Sequence, residues 1–508
     1  MHVTVINRDG SAEMISAEED RTLLEVLQEA GKSVFAYCGG TKTCGRCKVL
    51  VRDDAGIRYE LACETKARDG IEIILENSNV VDIAGMDELD TPSLLEGSTY
   101  GIAADIGTTT MVFHLVDMAT RSVVASVGKV NPQVVYGGDV ISRISSSSKT
   151  GGLAKLSGCL TTGIREACEC LCEAAGVNLD DVTALSVAGN TTMQHFACGL
   201  DPKSIGVSPF TPQSLFGDEQ TLFETFLPSC PRAYLAPAVA GYVGGDITAG
   251  ILAARMNDRA GLQLFVDIGT NGEMALGNKD GIVCCATAAG PAFEGANITL
   301  GVPAMAGAVC RVSLNGSSFS LETVGGAPAI GICGSGLLDA IAVLVDSGLV
   351  DETGRLRDAE ETEPRWNCHI GEENGETVCC LDAERNIYLT QSDVRKVQLA
   401  KSAIRAGIET MMADLGVSYD QIDEVALAGG FGMHLDPSSA ATIGLIPPAL
   451  ADKVRVYGNT AGRGAVECLF ADGRRATKEI AQSARYIELS TDARFNDFFI
   501  DFMGFDAE

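Results

Sequence analysis

Four cysteines near the N-terminus have the types and spacing to hold a metal cluster. The stretch YCGGTKTCGRCKV, followed by LACET, places Cys38, Cys44, Cys47 and Cys63 with five, two and fifteen residues between successive thiols. Three thiolates in a tight glycine-rich loop, with a fourth from a returning segment, suit a [2Fe–2S] cluster. Gly39, Gly40 and Gly45 let the backbone wrap closely around a small inorganic core. Zinc is the competing chemistry, because a two-residue cysteine spacing also serves zinc.

A second chemistry is written further along. AADIGTTT at 103–110 and FVDIGTNGE at 265–273 are apolar strands that end in Asp-Ile-Gly-Thr. A tight Gly-Thr turn after a buried strand presents backbone N–H groups and hydroxyls to phosphate oxygens. The aspartate before each turn, Asp105 or Asp267, can hold Mg2+ directly or through water. LAGGFG at 427–432 offers a third glycine turn, against which a flat purine could lie. ICGSGLLDA at 332–340 is a glycine-rich entry to an apolar helix, and Gly334, Ser335 and Gly336 there form another candidate anion site. One such turn is as readily an ordinary strand-to-hairpin bend. The turns recur in order, however. LSVAGNTTMQHF at 185–196 is echoed by VALAGGFGMHL at 425–435, just as the first Asp-Ile-Gly-Thr is echoed by the second. Matching signals in matching order describe a duplicated domain with a cleft between its halves, the second half carrying about 80 extra residues that include a polar stretch at 351–386. An electron carrier joined to an ATP site implies electron transfer coupled to ATP.

Three stretches position these motifs. Residues 1–80 read as one unit: HVTVIN alternates like a strand, Leu23–Ala30 reads as a helix, and CKVLV and IEIIL follow the cysteine loop as strands. This order resembles the β-grasp fold of plant-type and adrenodoxin-type ferredoxins, which favours iron–sulfur over zinc. The five-residue spacing is closer to adrenodoxin, and Cys63 comes sooner than the fourth ligand of either carrier. Residues 81–98 read as a polar linker containing Pro92. Residues 99–508 hold the duplicated domain, with halves at about 99–260 and 261–508. The expected class is α/β.

Composition narrows the partners. The chain has 508 residues, 46% hydrophobic and 21% charged, which describes a globular chain with a large core. A net charge of −30 argues against nucleic acid and anionic membrane, whose phosphates attract Lys and Arg. Eighteen cysteines in a chain of this size do not make a disulfide scaffold. MHVTVINRDG has no secretory pattern, and no run reaches about 18 uncharged apolar residues. A reducing cytoplasm is expected.

The repeated turns resemble those of the acetate and sugar kinase, heat-shock chaperone and actin superfamily, whose halves are ribonuclease H-like. The resemblance makes Asp105, Gly107, Thr108, Thr109 and Thr110 the phosphate-1 motif and Asp267, Gly269, Thr270, Asn271 and Gly272 the phosphate-2 motif. Gly429, Gly430, Phe431 and Gly432 become the adenosine motif, and Glu273 a candidate to orient the attacking water. Longer strings narrow the family: NPQVVYGGDVISRI at 131–144, VAGNTTMQHFACGLDP at 187–202, AAGPAFEGANI at 288–298, GICGSGLLDAIA at 331–342, SDVRKVQLAKSAIRAGI at 392–408 and ELSTDARFNDFFIDFMGF at 488–505. With the iron–sulfur unit, these resemble the reductive activators of corrinoid proteins. The resemblance implies an ATP-dependent reductase that takes an electron from an external ferredoxin or reductase and returns cob(II)alamin on a corrinoid protein to cob(I)alamin. Dimerisation is expected from related activators. Larger members carry a middle domain between ferredoxin unit and ATPase, for which the short linker leaves no room. Other readings are an activator of a different low-potential enzyme such as a dehydratase, a small-molecule kinase with a regulatory iron–sulfur domain, and a non-enzymatic actin-like module.

The remaining polar and sulfur residues read as structural. Cys168, Cys170 and Cys172 have one-residue spacings that suit a helix face poorly as a metal cage, and the vicinal pairs Cys284–Cys285 and Cys379–Cys380 are poor joint ligands. Cys333 reads as a packed small residue. His195 and His434 hold matched repeat positions, which implies a shared structural role. The apolar loop Thr287–Gly295 is a candidate partner-facing surface. Phe495, Phe498, Phe499, Phe502 and Phe505 fall mostly at helical steps and read as a helix that caps the core.

Overall fold

Alternation in the first strand, His2–Ile6, turns Val3 and Val5 inward to full burial. Thr22 starts the helix Leu23–Glu29 through a capping box with Glu25, and its buried Leu23 and Leu27 close the same small core. The resulting five-stranded sheet has the order Ala12–Ser16, His2–Ile6, Glu72–Ile74, Lys48–Asp53, Gly56–Leu61. His2–Ile6 and Glu72–Ile74 are parallel neighbours, with Thr4 opposite Glu72, and the other pairs are antiparallel. This is the expected β-grasp arrangement. The structure is a computed structural model and describes residues 2–6, 11–18, 20–30, 32, 42, 47–53, 56–75, 80–81, 99–222, 227, 229–295, 297–429 and 435–505. The cysteine loop holding Cys38 and Cys44, and the linker from residue 82 to 98, lie outside the described residues.

The chain divides into two units. One holds the described residues up to 246 together with 465–474, and the other holds 247–464 and 475–505. In the first, the strands Tyr100–Ile106, Thr110–Asp117 and Val123–Val130 form an antiparallel meander. Val182–Gly189 then pairs in parallel with Tyr100–Ile106, and Arg232–Leu235 in parallel with Val182–Gly189. Short edge strands Glu219–Thr221 and Val80–Val81 complete the sheet.

The second unit repeats that plan. Leu262–Ile268, Gly272–Asn278 and Gly281–Thr287 form the meander. Ile422–Ala428 and Val454–Gly458 add in parallel on the side of its first strand, and Ala484–Tyr486 adds in parallel on the other side. The duplication read from the turns is thus a duplication of strand order, and the fold is actin-like. The extra residues of the second half form two three-stranded sheets, one from Ala308–Asn315, Ser318–Thr323 and Gly331–Ile332, the other from Ile370–Glu373, Glu376–Asp382 and Ile387–Thr390.

The C-terminal helix Ala493–Asp501 lies along the long helix Gln391–Leu415. Gln398 donates to the Met503 carbonyl at 2.9 Å, Ser402 to that of Phe499 and Lys401 to that of Gly504. Arg405 stacks over the Phe502 ring at 4.2 Å, and Phe505 is buried in the core. The core-capping reading of the phenylalanines holds. Among the described residues no helix is long and apolar enough to cross a membrane.

Candidate cluster and nucleotide sites

Two of the four expected cluster ligands are described, and they are brought together. Cys47 opens the strand Lys48–Asp53 and Cys63 sits in the turn after Gly56–Leu61; they are 1% and 3% exposed. The Cys63 amide donates to Cys47 Sγ at 3.4 Å, and the Ala62 amide donates to the Cys47 carbonyl at 2.7 Å. Leu24 N–H on the Ala62 carbonyl ties this turn to the helix. A backbone N–H aimed at sulfur stabilises a thiolate, so the local chemistry fits a cluster ligand. Every described cysteine is free.

The first phosphate turn is braced from behind. Asp105 ends its strand between Val112 and Ala188 on the neighbouring strands. Gly107 N–H closes the turn on Thr110 O at 3.0 Å, and a β-carbon on Gly107 would stand 2.5 Å from that oxygen. The next carbonyls are each held. Asn131 Nδ2 donates to Gly107 O at 2.8 Å, Arg143 Nη2 to Thr108 O at 2.5 Å, and Asn131 N–H to Thr109 O at 2.8 Å. Asn131 and Arg143 are fully buried. Asn190 caps the helix Thr191–Ala197 by accepting from Met193 N–H at 2.9 Å, which turns its amide nitrogen to Thr108 Oγ1 at 3.0 Å. Fixing carbonyls on one side of a turn leaves its peptide dipoles pre-aimed on the other.

The second turn carries more negative charge. Gly269 N–H donates to Asn271 O at 3.0 Å. Asp267 and Glu273 face each other across the antiparallel pair, which puts both carboxylates on one sheet face about 5 Å apart at Cβ. Asn271 Nδ2 donates to Glu273 Oε1 at 3.1 Å. Gly429, at φ +97°, lies so close that a β-carbon would stand 2.8 Å from Asp267 Oδ1 and 2.6 Å from Ile268 O. Gly430, Phe431 and Gly432 lie outside the described residues, as does His434. A further residue arrives from the loop at 288–295. Glu294 Oε2 accepts from Thr270 Oγ1 at 2.6 Å.

That contact corrects one expectation. The loop Thr287–Gly295 is not an exposed apolar patch: Ala289, Ala292 and Phe293 are buried in the core and Pro291–Glu294 is a helical turn that delivers Glu294 to the phosphate-2 motif. Gly334, Ser335 and Gly336 open the helix Gly334–Asp346 as foreseen. All three are buried; Ser335 Oγ donates to Cys310 O at 3.0 Å, and a β-carbon on Gly336 would stand 2.1 Å from Val309 O. Close helix–strand packing is what this Gly-Ser-Gly provides here.

The residues read as structural behave so. His195 is fully buried, donates from Nδ1 to Thr191 O at 2.7 Å and accepts at Nε2 from Gln213 N–H at 3.1 Å. Burial pushes the Cys168 and Cys285 thiols up and the Cys172 thiol to about 11, which keeps them protonated. Cys333 is buried and donates to Val309 O. Asn131, Arg143, Asn190 and Glu294 received no role from sequence, although each stands in one of the long strings quoted above.

Comparison with known proteins agrees with this fold. Residues 6–68 match the 2Fe-2S iron-sulfur cluster binding domain family, 100–259 the RACo middle region, and 261–508 the C-terminal domain of RACo, described as the ASKHA domain. The chain therefore has the family's middle region, contrary to the expectation that the short linker excludes it; that region is the first half of the duplication. A corrinoid activation enzyme of Eubacterium limosum, RamQ, is 30% identical over 95% of this chain and 96% of its own length. A [Co(II) methylated amine-specific corrinoid protein] reductase of Methanosarcina barkeri is 25% identical over 79% of this chain and 76% of its own length. A solved structure of a reductive activator for corrinoid, iron-sulfur protein superposes with a TM-score of 0.73 at 32% identity, covering 99% of this chain and 98% of the other. With ferredoxin-like, middle and ASKHA regions in this order and full-length likeness, the chain belongs to the family of reductive activators of corrinoid proteins.

Proposed function

We propose that this chain is an ATP-dependent reductase that restores an inactive corrinoid protein by reducing its cob(II)alamin to cob(I)alamin. The observation that carries the reading is the full-length likeness to a corrinoid activation enzyme, across an iron–sulfur domain and an ATPase domain together. Cys38, Cys44, Cys47 and Cys63 hold a [2Fe–2S] cluster, which when bound accepts one electron from an external donor, a reduced ferredoxin or reductase, and supplies it to cobalt. The Cys63 amide on Cys47 Sγ steadies the charge of that ligand, and burial of both thiols keeps water from it.

The energetic need for ATP follows from the low potential of cob(I)alamin. Each 100 mV of unfavourable one-electron gap costs about 2.3 kcal/mol. A nucleotide contributes only if it binds two states of the protein unequally. The turns at Asp105–Thr110 and Asp267–Gly272 are the phosphate-binding elements, with Asn131, Arg143 and Asn190 holding the first in shape. Asp105 or Asp267 would hold Mg2+, directly or through water, and the ion would offset phosphate charge. Gly429–Gly432 form the adenosine side, and Glu273 is a candidate to orient water. The domain reading is 1–80 ferredoxin-like, 81–98 linker and 99–508 ATPase, with Val80–Val81 already paired to the first sheet of the ATPase domain; the location is the cytoplasm, and the working form is a homodimer.

The test is optical and anaerobic. Reduced, reconstituted protein is mixed with a cob(II)alamin-loaded corrinoid protein, and the cob(I)alamin absorption is followed with and without Mg-ATP. ATP-dependent growth of that band, lost on Cys44→Ala or Asp267→Ala, is expected. An intact cluster with ATP hydrolysis but no cob(I)alamin would redirect the assignment to another low-potential acceptor, and phosphorylation of a small molecule to a kinase.

A further inference from the structure

The two phosphate turns are alike in sequence but opposite in the polarity of their first threonine. At the first turn, Asn190 commits its oxygen to Met193 N–H, so its amide nitrogen donates to Thr108 Oγ1 at 3.0 Å. Thr108 accepts there and keeps its own proton to give, as a phosphate oxygen requires. At the second turn, Thr270 Oγ1 lies 2.6 Å from Glu294 Oε2. An ionised carboxylate only accepts, so the proton of Thr270 is spent on Glu294 and only its lone pairs are left for a ligand. A hydroxyl in that state is repelled by phosphate oxygen and receives a proton from water. Glu294 also covers the glycine of the turn: its Oε1 lies 3.7 Å from where a Gly269 β-carbon would stand. Thr270 is 8% exposed, so its rotor is held by this bond and not by bulk water.

We propose that Thr270 and Glu294 form the proton path for ATP hydrolysis, with Thr270 touching the attacking water and Glu294 acting through it. This rests on the ATP reading given above. In the step, the water oxygen bonds to the γ-phosphorus while the bond from that phosphorus to the β–γ bridging oxygen breaks. The bridging oxygen leaves on ADP with the bonding pair. One water proton passes to Thr270 Oγ1, and the Thr270 hydroxyl proton passes to Glu294 Oε2, which later returns it to solvent.

The test uses full-length reconstituted protein, with ATP hydrolysis followed between about pH 5 and pH 9 and ATP affinity measured separately by calorimetry. Glu294→Gln is expected to lower kcat about 100-fold, to leave the ATP Kd within about threefold, and to remove the acidic limb of the pH profile. Thr270→Ala is expected to match it, while Thr270→Ser, which restores the hydroxyl, recovers at least about a tenth of the wild-type rate. Glu294→Asp, close in shape, serves if the Gln variant does not fold, and is expected to retain the acidic limb at a reduced rate. The proposal is overturned if Glu294→Gln hydrolyses ATP at the wild-type rate, keeps the acidic limb, or loses affinity in step with rate. Wild-type protein without ATP affinity would overturn the ATP reading and the relay together, whereas unaffected variants beside an ATP-hydrolysing wild type overturn the relay alone.

Discussion

Replacing Gly429 by alanine should separate the nucleotide site from general stability. Gly429 has φ +97°, and its missing β-carbon would stand 2.6 Å from Ile268 O and 2.8 Å from Asp267 Oδ1. A non-glycine residue in a left-handed conformation costs about 1–2 kcal/mol. Forcing an extra carbon against a strand carbonyl costs about 1–3 kcal/mol more. The sum, about 2–5 kcal/mol, falls on the strand that carries Asp267 and on its carboxylate. Displacement of that carboxylate should weaken Mg-ATP binding at least about tenfold, equivalent to about 1.4 kcal/mol. Gly416→Ala is the control: Gly416 caps the long helix at φ +66° with nothing within 4 Å of the added carbon. It carries the conformational cost without the clash. Calorimetric ATP titration should therefore show a loss for Gly429→Ala and none for Gly416→Ala. Thermal unfolding should drop by more for Gly429→Ala, at about 2–4 °C per kcal/mol for a unit of this size. If the two variants bind ATP alike and melt alike, the reasoning about Gly429 and Asp267 is wrong.

Arg143→Met should strand the carbonyls of Thr108 and Gly137, which Arg143 holds at 2.5 and 2.8 Å. At about 1–3 kcal/mol per stranded buried acceptor, urea unfolding should show a loss of about 2–6 kcal/mol together with weaker ATP binding, and Arg143→Lys should not restore both bonds. His114 is buried beside Ser126, and burial lowers its pKa to about 4. The unfolded chain takes this proton near pH 6.5, so stability is untouched above that value and falls as pH drops from there to about 4, by about 3 kcal/mol at most. His114→Gln should flatten that part of a pH-dependent unfolding series; an unchanged slope would assign the acid sensitivity elsewhere.

Much of this was legible in the sequence because it depends on local spacing. Alternation in His2–Ile6 and the capping box at Thr22 are nearest-neighbour signals, and they suffice for the ferredoxin-like unit. The repeated Asp-Ile-Gly-Thr turns led to a repeated strand order because each turn is the hairpin that joins the first two strands of its meander. What was illegible is long in range. Arg143 is 35 residues from the carbonyl it holds, and Glu294 is 24 residues from Thr270. No periodicity connects such pairs. The loop carrying Glu294 was misread because Ala289, Ala292 and Phe293 give it an apolar composition, which a surface patch and a packed core share. The middle region was thought lost because its sequence carries the same turns as the C-terminal domain, so it was counted as half of the ATPase.

The pairing of distant strands also bears on biosynthesis. The ferredoxin-like sheet closes when Glu72–Ile74 joins His2–Ile6, so its last hydrogen-bonding partner leaves the ribosome early. The second unit waits much longer. Gly281–Thr287 pairs with Ala484–Tyr486, and the long helix Gln391–Leu415 is covered only when the segment around Phe499–Phe505 arrives. An amino-terminal unit that completes its core while the rest is still being translated can acquire iron before the ATPase exists. Nascent chains stalled at increasing lengths would therefore gain iron well before they gain affinity for nucleotide, and a chain cut short near its end would emerge with its metal loaded and its ATPase unfinished.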